Sequence, residues 1–166
     1  FGGENDSGVL SNSLWGAEKA IGPSGEVAYY WRMLDVQGEA PAPRKEAVML
    51  TDPSATRIFL FGGRGQGGLL GDLWALEPLD GGVPAFFMEA GTGMSTTTWK
   101  WTMIQPSGEV PSARSGMAVA VDGMKVALYG GATAAGPSGE IFLFDPRVAS
   151  FERIEVAGGI SIARQG

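Results

Sequence analysis

A chain of 166 residues, 44% of them hydrophobic, has enough apolar material for the core of one soluble domain. Its 12 basic and 18 acidic residues give a net charge of −6 with no basic cluster, which argues against nucleic acid and anionic membranes as partners. There is no cysteine, no histidine and no apolar run long enough to span a membrane, so we expect no disulfide, no metal, no organic cofactor and no membrane insertion in these residues.

Short strand-like segments, separated by turn-forming residues, follow one another along the whole chain. No stretch shows a convincing period of 3.6 residues, so the sequence predicts strands with less than roughly 10% helix. The predicted strands, in chain order, cover residues 13–19, 29–36, 47–50, 57–61, 72–77, 99–104, 117–121, 125–129, 140–145 and 151–156. Residues 16–28 and 78–98 are predicted to contain insertions.

Two glycines end the same kind of strand three times. The chain opens with Phe-Gly-Gly, residues 57–63 read Arg-Ile-Phe-Leu-Phe-Gly-Gly, and residues 125–131 read Lys-Val-Ala-Leu-Tyr-Gly-Gly. Glycine adopts positive φ at little cost, so the pattern predicts a sharp turn after each strand. The structural repeat residues of this turn are Gly2, Gly3, Gly62, Gly63, Gly130 and Gly131.

A second recurring feature connects an aromatic strand residue to an arginine. Thirteen positions separate the two residues in each of three copies, which are Trp31 and Arg44, Trp101 and Arg114, and Phe151 and Arg164. A Gly-Glu or Gly-Gly step lies between them each time. Equal spacing in three copies indicates a repeat protein.

This order of features resembles the kelch repeat, and the resemblance covers almost the whole chain. It implies an all-β fold, a kelch-type β-propeller with one four-stranded blade per repeat. About three blades are expected, as a partial arc of a larger propeller forming one partial domain over residues 1–166. The expected limits are 1–36 for the end of blade A, 45–104 for blade B, 115–156 for blade C and 158–166 for the start of blade D.

Residues 63–68 also match Gly-x-Gly-x-x-Gly, the pattern of a dinucleotide-binding turn. Such a site needs a helix after the glycines to hold the pyrophosphate. The residues that follow, 69–78, are strand-like and end at a proline. We therefore predict a loop between strands and no nucleotide site.

Arginines are predicted to gather on one face of the arc, which we call the arginine face. In an antiparallel blade the loops after the second and the fourth strand emerge on the same side, which places Arg44, Arg64, Arg114 and Arg164 on this face. Kelch proteins that bind peptides often do so here, and the resemblance implies the same use of the face in this chain. Arginine forks suit carboxylates, which makes Arg44, Arg64 and Arg114 candidate partner contacts. One arginine per repeat also fits a brace that links neighbouring blades, and this interpretation is favoured for Arg44, Arg114 and Arg164. For Arg64 the alternative is a solvated loop residue.

The opposite face carries the insertions. Within residues 78–98, Phe86, Phe87 and Met88 form an apolar knot that is either a docking element for a partner or a flap on its own blade. The recurrent aromatic residues are assigned to packing between blades: Trp15, Trp31, Trp74, Trp101, Phe142 and Phe151.

No catalytic constellation is present, which favours a non-catalytic protein-interaction or scaffold module whose partners are other proteins in a larger, multiprotein assembly. One alternative is the propeller portion of a kelch-like sugar oxidase or isomerase, with its chemistry in blades outside these residues. Another is a carbohydrate-binding propeller. The lack of cysteine fits a reducing compartment, so we expect a cytoplasmic, intracellular location, with secretion as the alternative.

Overall fold

The computed structural model describes residues 1–21, 23–51, 57–79 and 98–155. Within these ranges the regular structure is entirely β, and no helix that could cross a membrane occurs. The first nine strands are β1 (Trp15–Ile21), β2 (Val27–Met33), β3 (Val36–Gln37), β4 (Arg44–Lys45), β5 (Val48–Thr51), β6 (Ile58–Phe61), β7 (Arg64–Gly65), β8 (Gly68–Leu69) and β9 (Leu73–Pro78). The next nine are β10 (Trp99–Ile104), β11 (Ser107–Gly108), β12 (Arg114–Ser115), β13 (Ala118–Asp122), β14 (Lys125–Tyr129), β15 (Ala132–Thr133), β16 (Gly136–Pro137), β17 (Ile141–Asp145) and β18 (Ser150–Ile154).

Two five-stranded sheets form the body of the fold. One has the order β3-β10-β9-β6-β5, and the other has the order β11-β18-β17-β14-β13. Four antiparallel strands of each sheet follow the order of the chain, as expected for blades B and C, and we keep those names for the two sheets. Residues 69–78, after the glycine-rich loop, contain the end of β8 and the whole of β9, so the helix required by a nucleotide site is absent from them.

The fifth strand of each blade comes from the linker that precedes the blade. Val36 and Gln37 pair in parallel with Trp99 and Lys100, and β11 pairs in the same way with β18. Each blade therefore keeps the four antiparallel strands that were expected and gains a short parallel strand at its outer edge, residues 36–37 in blade B and residues 107–108 in blade C. The sequence pattern did not reveal this strand because two residues are too few to show a period.

The third sheet is the hairpin of β1 and β2, which is blade A. The two strands pair along seven positions, from Trp15 opposite Met33 to Ile21 opposite Val27. Most residues of the predicted insertion, 16–28, continue these two strands, so the extra length lies in the hairpin and not in a separate loop. Two smaller sheets, β4-β7-β8 and β12-β15-β16, lie at one end of blades B and C and build the arginine face.

Buried side chains form two clusters, one on each face of blade B. Successive residues of a strand point to opposite faces, so alternate residues of β6 serve the two clusters. Phe59 and Phe61 belong to the cluster shared with blade C, and Ile58 and Leu60 belong to the cluster on the side of blade A. Burial of each such side chain contributes roughly 1.5–3 kcal/mol, so these contacts between blades dominate the stability of the arc.

One aromatic contact recurs in both clusters. Phe1 packs edge-on against Trp101 with ring centroids 5.3 Å apart, and Phe61 packs against Phe151 at the same distance. In each case the aromatic residue that precedes Gly-Gly meets the aromatic residue in the outer strand of the next blade.

The packing assignment holds for four of the six recurrent aromatic residues. Those buried are Trp74, Trp101, Phe142 and Phe151. Trp15 and Trp31 correct the prediction, because their side chains are exposed, Trp31 by 74%. Among the described residues, no blade lies against the face of the β1–β2 hairpin that carries them.

The Gly-Gly turns have the backbone geometry that the sequence predicted. Gly62 and Gly63 have φ values of 67° and 103°, and the pairs at residues 2–3 and 130–131 also have positive φ. A Cβ atom on Gly62 would lie 2.6 Å from the carbonyl oxygen of Arg114 in the next blade. The glycines therefore allow both the turn and the close approach of neighbouring blades.

Candidate partner-binding site

Arg44 lies at the centre of a buried network, with only 1% of its surface exposed. Its guanidinium donates to both carboxylate oxygens of Asp72, at 2.6 and 2.7 Å, and to the carbonyl oxygen of Gly62 at 2.9 Å. Its Nε donates to the carbonyl of Ala42 at 3.0 Å. These donor groups are all directed to acceptors inside the blade, so the side chain of Arg44 fastens its own blade.

Asp72 completes this network. Burial alone would raise the pKa of this carboxyl group, but hydrogen bonds from Arg44 and Trp74 and the charge of Arg44 together hold its pKa below the ordinary value. The Nε1 of Trp74 donates to Asp72 at 2.6 Å. The buried arginine and the recurrent tryptophan therefore share one carboxylate.

Arg114 repeats the arrangement in blade C and is 2% exposed. It donates to Glu140 at 2.8 Å and to the carbonyl of Gly130 at 3.1 Å, and its guanidinium lies 5.1 Å from the centre of the Phe142 ring. The hydrogen bond from Arg114 lowers the pKa of Glu140 against the opposing effect of burial. The buried side chain of Arg114 therefore fastens its own blade as that of Arg44 does, and contact of either residue with a partner stays a prediction.

The expected brace between blades is made by the backbone of these residues. The N–H of Gly3 donates to the carbonyl of Arg44 at 2.9 Å, and the N–H of Gly63 donates to the carbonyl of Arg114 at 2.8 Å. Each side chain fastens its own blade, while the carbonyl of the same residue accepts a hydrogen bond from the preceding repeat.

Arg64 is in a different environment, with 46% of its side chain exposed. It lies on β7 directly opposite Lys45 on β4. Two like charges opposite each other destabilise a sheet, so this pair needs nearby anions. Glu4 accepts from Lys45 at 2.6 Å, and a carboxylate oxygen of Glu46 lies 3.8 Å from Nε of Arg64.

The two cations border an open cavity of about 650 Å³ on the arginine face. Its apolar lining comes from three different loops. Val9 and Leu10 lie in the first loop, Pro43 lies in the second and Leu70 lies in the third. Gln66 adds a polar amide group beside Arg64. A cavity that combines apolar walls with two cations is suited to a peptide segment with acidic and apolar side chains.

Glu46 has an unusual backbone conformation at the edge of this site. Its φ is 57°, in the left-handed region where glycine is favoured, and Gly116 occupies the same repeat position in blade C. Its carboxylate accepts a hydrogen bond from Ser115 at 2.8 Å, which links blades B and C. A strained non-glycine residue held by contacts on both sides is typical of a position with a specific role.

Lys45, Glu46 and the cavity were not identified from the sequence. The signal was a break in the repeat, because blade C has Ser115 and Ala132 where blade B has Lys45 and Arg64. The predicted contact residues Phe86, Phe87 and Met88, and the repeat residue Arg164, lie outside the described residues. Among the described residues, no group of three acidic side chains is placed to hold a metal ion.

Sheets of four antiparallel strands, repeated with the same Gly-Gly turn and the same buried arginine, define a β-propeller of the kelch type. The family of the KLHDC2/KLHL20/DRC7 Kelch-repeats domain matches residues 1–166. The chain belongs to this family. Kelch propeller domains commonly serve as protein-interaction modules and are typically not enzymes.

Proposed function

We propose that this domain is a non-catalytic interaction module that binds an acidic, partly apolar segment of another protein on its arginine face. The observation that carries the proposal is the opposed pair of Lys45 and Arg64 at the border of the 650 Å³ cavity. The repeat does not require this pair, since blade C folds in the same way with serine and alanine at the same positions. The pair costs sheet stability, so a role in binding accounts for it better than a structural role does.

The charges of the site fit an anionic partner. The protein is acidic overall, so a local positive edge would attract acidic groups over about 8–10 Å at physiological ionic strength. In the free protein, the carboxylate of Glu4 pairs with Lys45 and the carboxylate of Glu46 pairs with Arg64. Acidic side chains of a partner would replace them while apolar side chains contact Leu10 and Leu70.

The role as a scaffold in a larger intracellular assembly is part of the same proposal. Residues 78–98, with the apolar knot of Phe86, Phe87 and Met88, would supply a second and constitutive contact on the opposite face. Deleting residues 83–93 should then remove one partner while a peptide at the arginine face still binds. If every partner remains bound, the knot is only a flap on its own blade.

The test uses two variants that exchange site residues for those of blade C, Lys45→Ser and Arg64→Ala. The probe is a fluorescent peptide of alternating glutamate and leucine, and a lysine-leucine peptide of equal length controls for charge. Fluorescence anisotropy should show that the double variant loses affinity for the acidic peptide by about two- to thirtyfold, because each of the two partly exposed ion pairs contributes about 0.2–1 kcal/mol. The matched control is Arg57→Ala, since Arg57 precedes β6 and lies at the other end of that strand from Arg64.

The salt dependence gives a second readout. Binding of the acidic peptide to the native domain should weaken with added salt, and the double variant should show a smaller dependence. The proposal is wrong if Arg57→Ala reduces binding as much as the double variant, or if both peptides bind equally well.

A further inference from the structure

Four charged side chains beside the cavity lie in a fixed order across the arginine face. Glu4 belongs to blade A, and its carboxylate pairs with Lys45 of blade B at 2.6 Å. Lys45 lies opposite Arg64 in the same small sheet. The carboxylate of Glu46 lies near Arg64 and accepts a hydrogen bond from Ser115 of blade C, which places it on the side of that blade. From blade A to blade C the charges are therefore negative, positive, positive and negative.

The carboxylate of Glu46 is fixed in this row by blade C. Ser115 is 1% exposed, and its hydroxyl donates to that carboxylate at 2.8 Å. The N–H of Gly116 donates to the carbonyl of Glu46 at 3.0 Å, but a glycine at residue 46 would accept the same hydrogen bond and would adopt the φ of 57° with less strain. The repeat has glycine at this position in both later copies, residues 116 and 166. What the glutamate adds is therefore its side chain and its charge.

Glu46 acts on Arg64 through its charge and not through a hydrogen bond. Its carboxylate oxygen lies 3.8 Å from Nε of Arg64, which is beyond hydrogen-bond distance. The guanidinium can therefore turn toward a partner while Glu46 stays bound to Ser115. A partner carboxylate at Arg64 then lies close to a second carboxylate, and the two like charges repel each other.

The other cation, Lys45, places an acidic partner in the same situation. Glu4 loses its ion pair when a carboxylate of the partner takes its place. A purely acidic segment thus leaves two unpaired carboxylates beside its own. A segment that also carries basic groups on both sides of its acidic ones would pair with all four side chains.

We propose that the arginine face selects a partner segment whose acidic residues are flanked on both sides by basic residues, with Glu4 and Glu46 as the residues that determine this specificity. This specificity rests on the proposed function, because the acidic residues of the segment pair with the same two cations, Lys45 and Arg64. The basic flanks pair with Glu4 and Glu46. Each of the four side chains is between 31% and 46% exposed, so all of them are accessible to a partner.

The test compares two capped fluorescent peptides of identical composition, Leu-Lys-Glu-Leu-Glu-Lys-Leu and Leu-Glu-Lys-Leu-Lys-Glu-Leu. Both have no net charge and read the same in either direction, so only the order of the charges differs between them. Fluorescence anisotropy should show that the native domain binds the first peptide, which has basic flanks, more tightly by on the order of tenfold, because several partly exposed ion pairs each contribute. Added salt should reduce this difference.

Glu4→Gln together with Glu46→Gln removes both negative charges and keeps an amide oxygen that can accept a hydrogen bond from Ser115. This variant should bind the peptide with basic flanks about two- to thirtyfold less tightly than the native domain does, since two partly exposed ion pairs are lost. The same variant should bind the purely acidic glutamate-leucine peptide more tightly than the native domain does. A structural role of the two glutamates would not change these affinities in opposite directions.

Glu77→Gln together with Glu152→Gln is the matched control. These carboxylates also form ion pairs, with Arg57 and Lys125, which lie at the ends of their blades away from the arginine face. The control removes the same amount of charge and should bind every peptide as the native domain does.

Failure of the charge pattern can be told apart from failure of the proposed site. If Lys45→Ser with Arg64→Ala leaves the binding of every peptide unchanged, the proposed site is wrong and the charge pattern is overturned with it. If that variant loses the acidic peptide, but the native domain binds the two permuted peptides equally well, the site stands and the charge pattern alone is overturned. A glutamine variant that binds like the native domain also overturns the role of Glu4 and Glu46.

Discussion

At the scale of single residues, the three described arginines of the arginine face differ in their neighbours and not in their chemistry. Arg44 and Arg114 are buried because Asp72 and Glu140 lie 28 and 26 positions further along the chain and fold back onto them. Arg64 has no equivalent in blade C and remains half exposed. The sequence predicted a shared face from strand parity, but burial depends on packing between distant segments, which no local pattern contains.

The pairing of Asp72 predicts how stability depends on pH. Its pKa is lowered in the folded protein from an ordinary value of 3.8, so the stabilisation is present above that value and is lost as the pH falls through the folded-state pKa. At pH 7, Asp72→Asn should reduce the free energy of unfolding by about 1 kcal/mol, a modest figure because the carboxylate is partly solvated.

Urea titrations of the native and Asp72→Asn proteins at several pH values check this prediction. The difference between the two proteins should shrink as the pH drops below about 4. A difference that stays constant down to acid pH would mean that the ion pair with Arg44 contributes nothing. Asp35→Asn, in the linker after β2, is a control for the loss of one carboxylate.

At the scale of secondary structure, the sequence predicted the longer strands well. Strands β10 and β14 have the predicted limits, and β6 and β17 differ by a single residue at one end. The two-residue strands were missed because their existence depends on partners far along the chain. Among them, β11 requires a glycine, since a Cβ atom on Gly108 would overlap the carbonyl oxygen of Phe151.

Gly108→Ala should therefore destabilise the protein by more than backbone strain alone. Gly108 has a φ of 77°, and Gly123 has a φ of 58° with open space where a Cβ atom would lie. Gly123→Ala should lose about 1–2 kcal/mol, which is the cost of a left-handed conformation. The loss for Gly108→Ala should be clearly larger in the same urea titration. Equal losses of stability in the two variants would show that β11 can shift away from the added Cβ atom without a further loss of stability.

At the scale of the whole molecule, the packing of one blade against the next decides which repeat residues matter. Trp101 and Trp31 occupy the same repeat position, yet Trp101 is 3% exposed and Trp31 is 74% exposed. The prediction of packing between blades holds at this position for Trp101 and for Phe151. The repeat could not predict the exposure of Trp31, because burial is a property of the neighbouring blade and not of the residue.

This contrast gives a paired prediction. Trp101→Ala should reduce the free energy of unfolding by about 3–5 kcal/mol, as removal of a large buried aromatic side chain does. Trp31→Ala, measured at low protein concentration, should change it by less than about 0.5 kcal/mol. Denaturant titration followed by circular dichroism measures both. A loss below about 1 kcal/mol for Trp101→Ala would contradict its placement between blades.

The parallel strand that each blade receives from its preceding linker has a practical consequence for protein engineering. Blade C is completed by β11, so a cut at residue 115, where its repeat was expected to start, would leave the outer edge of β18 unpaired. An unpaired edge of this kind recruits other strands and promotes aggregation. A transplant of blade C into another propeller, or a circular permutation, therefore has to cut before Ser107, so that the excised segment overlaps the repeat upstream of it.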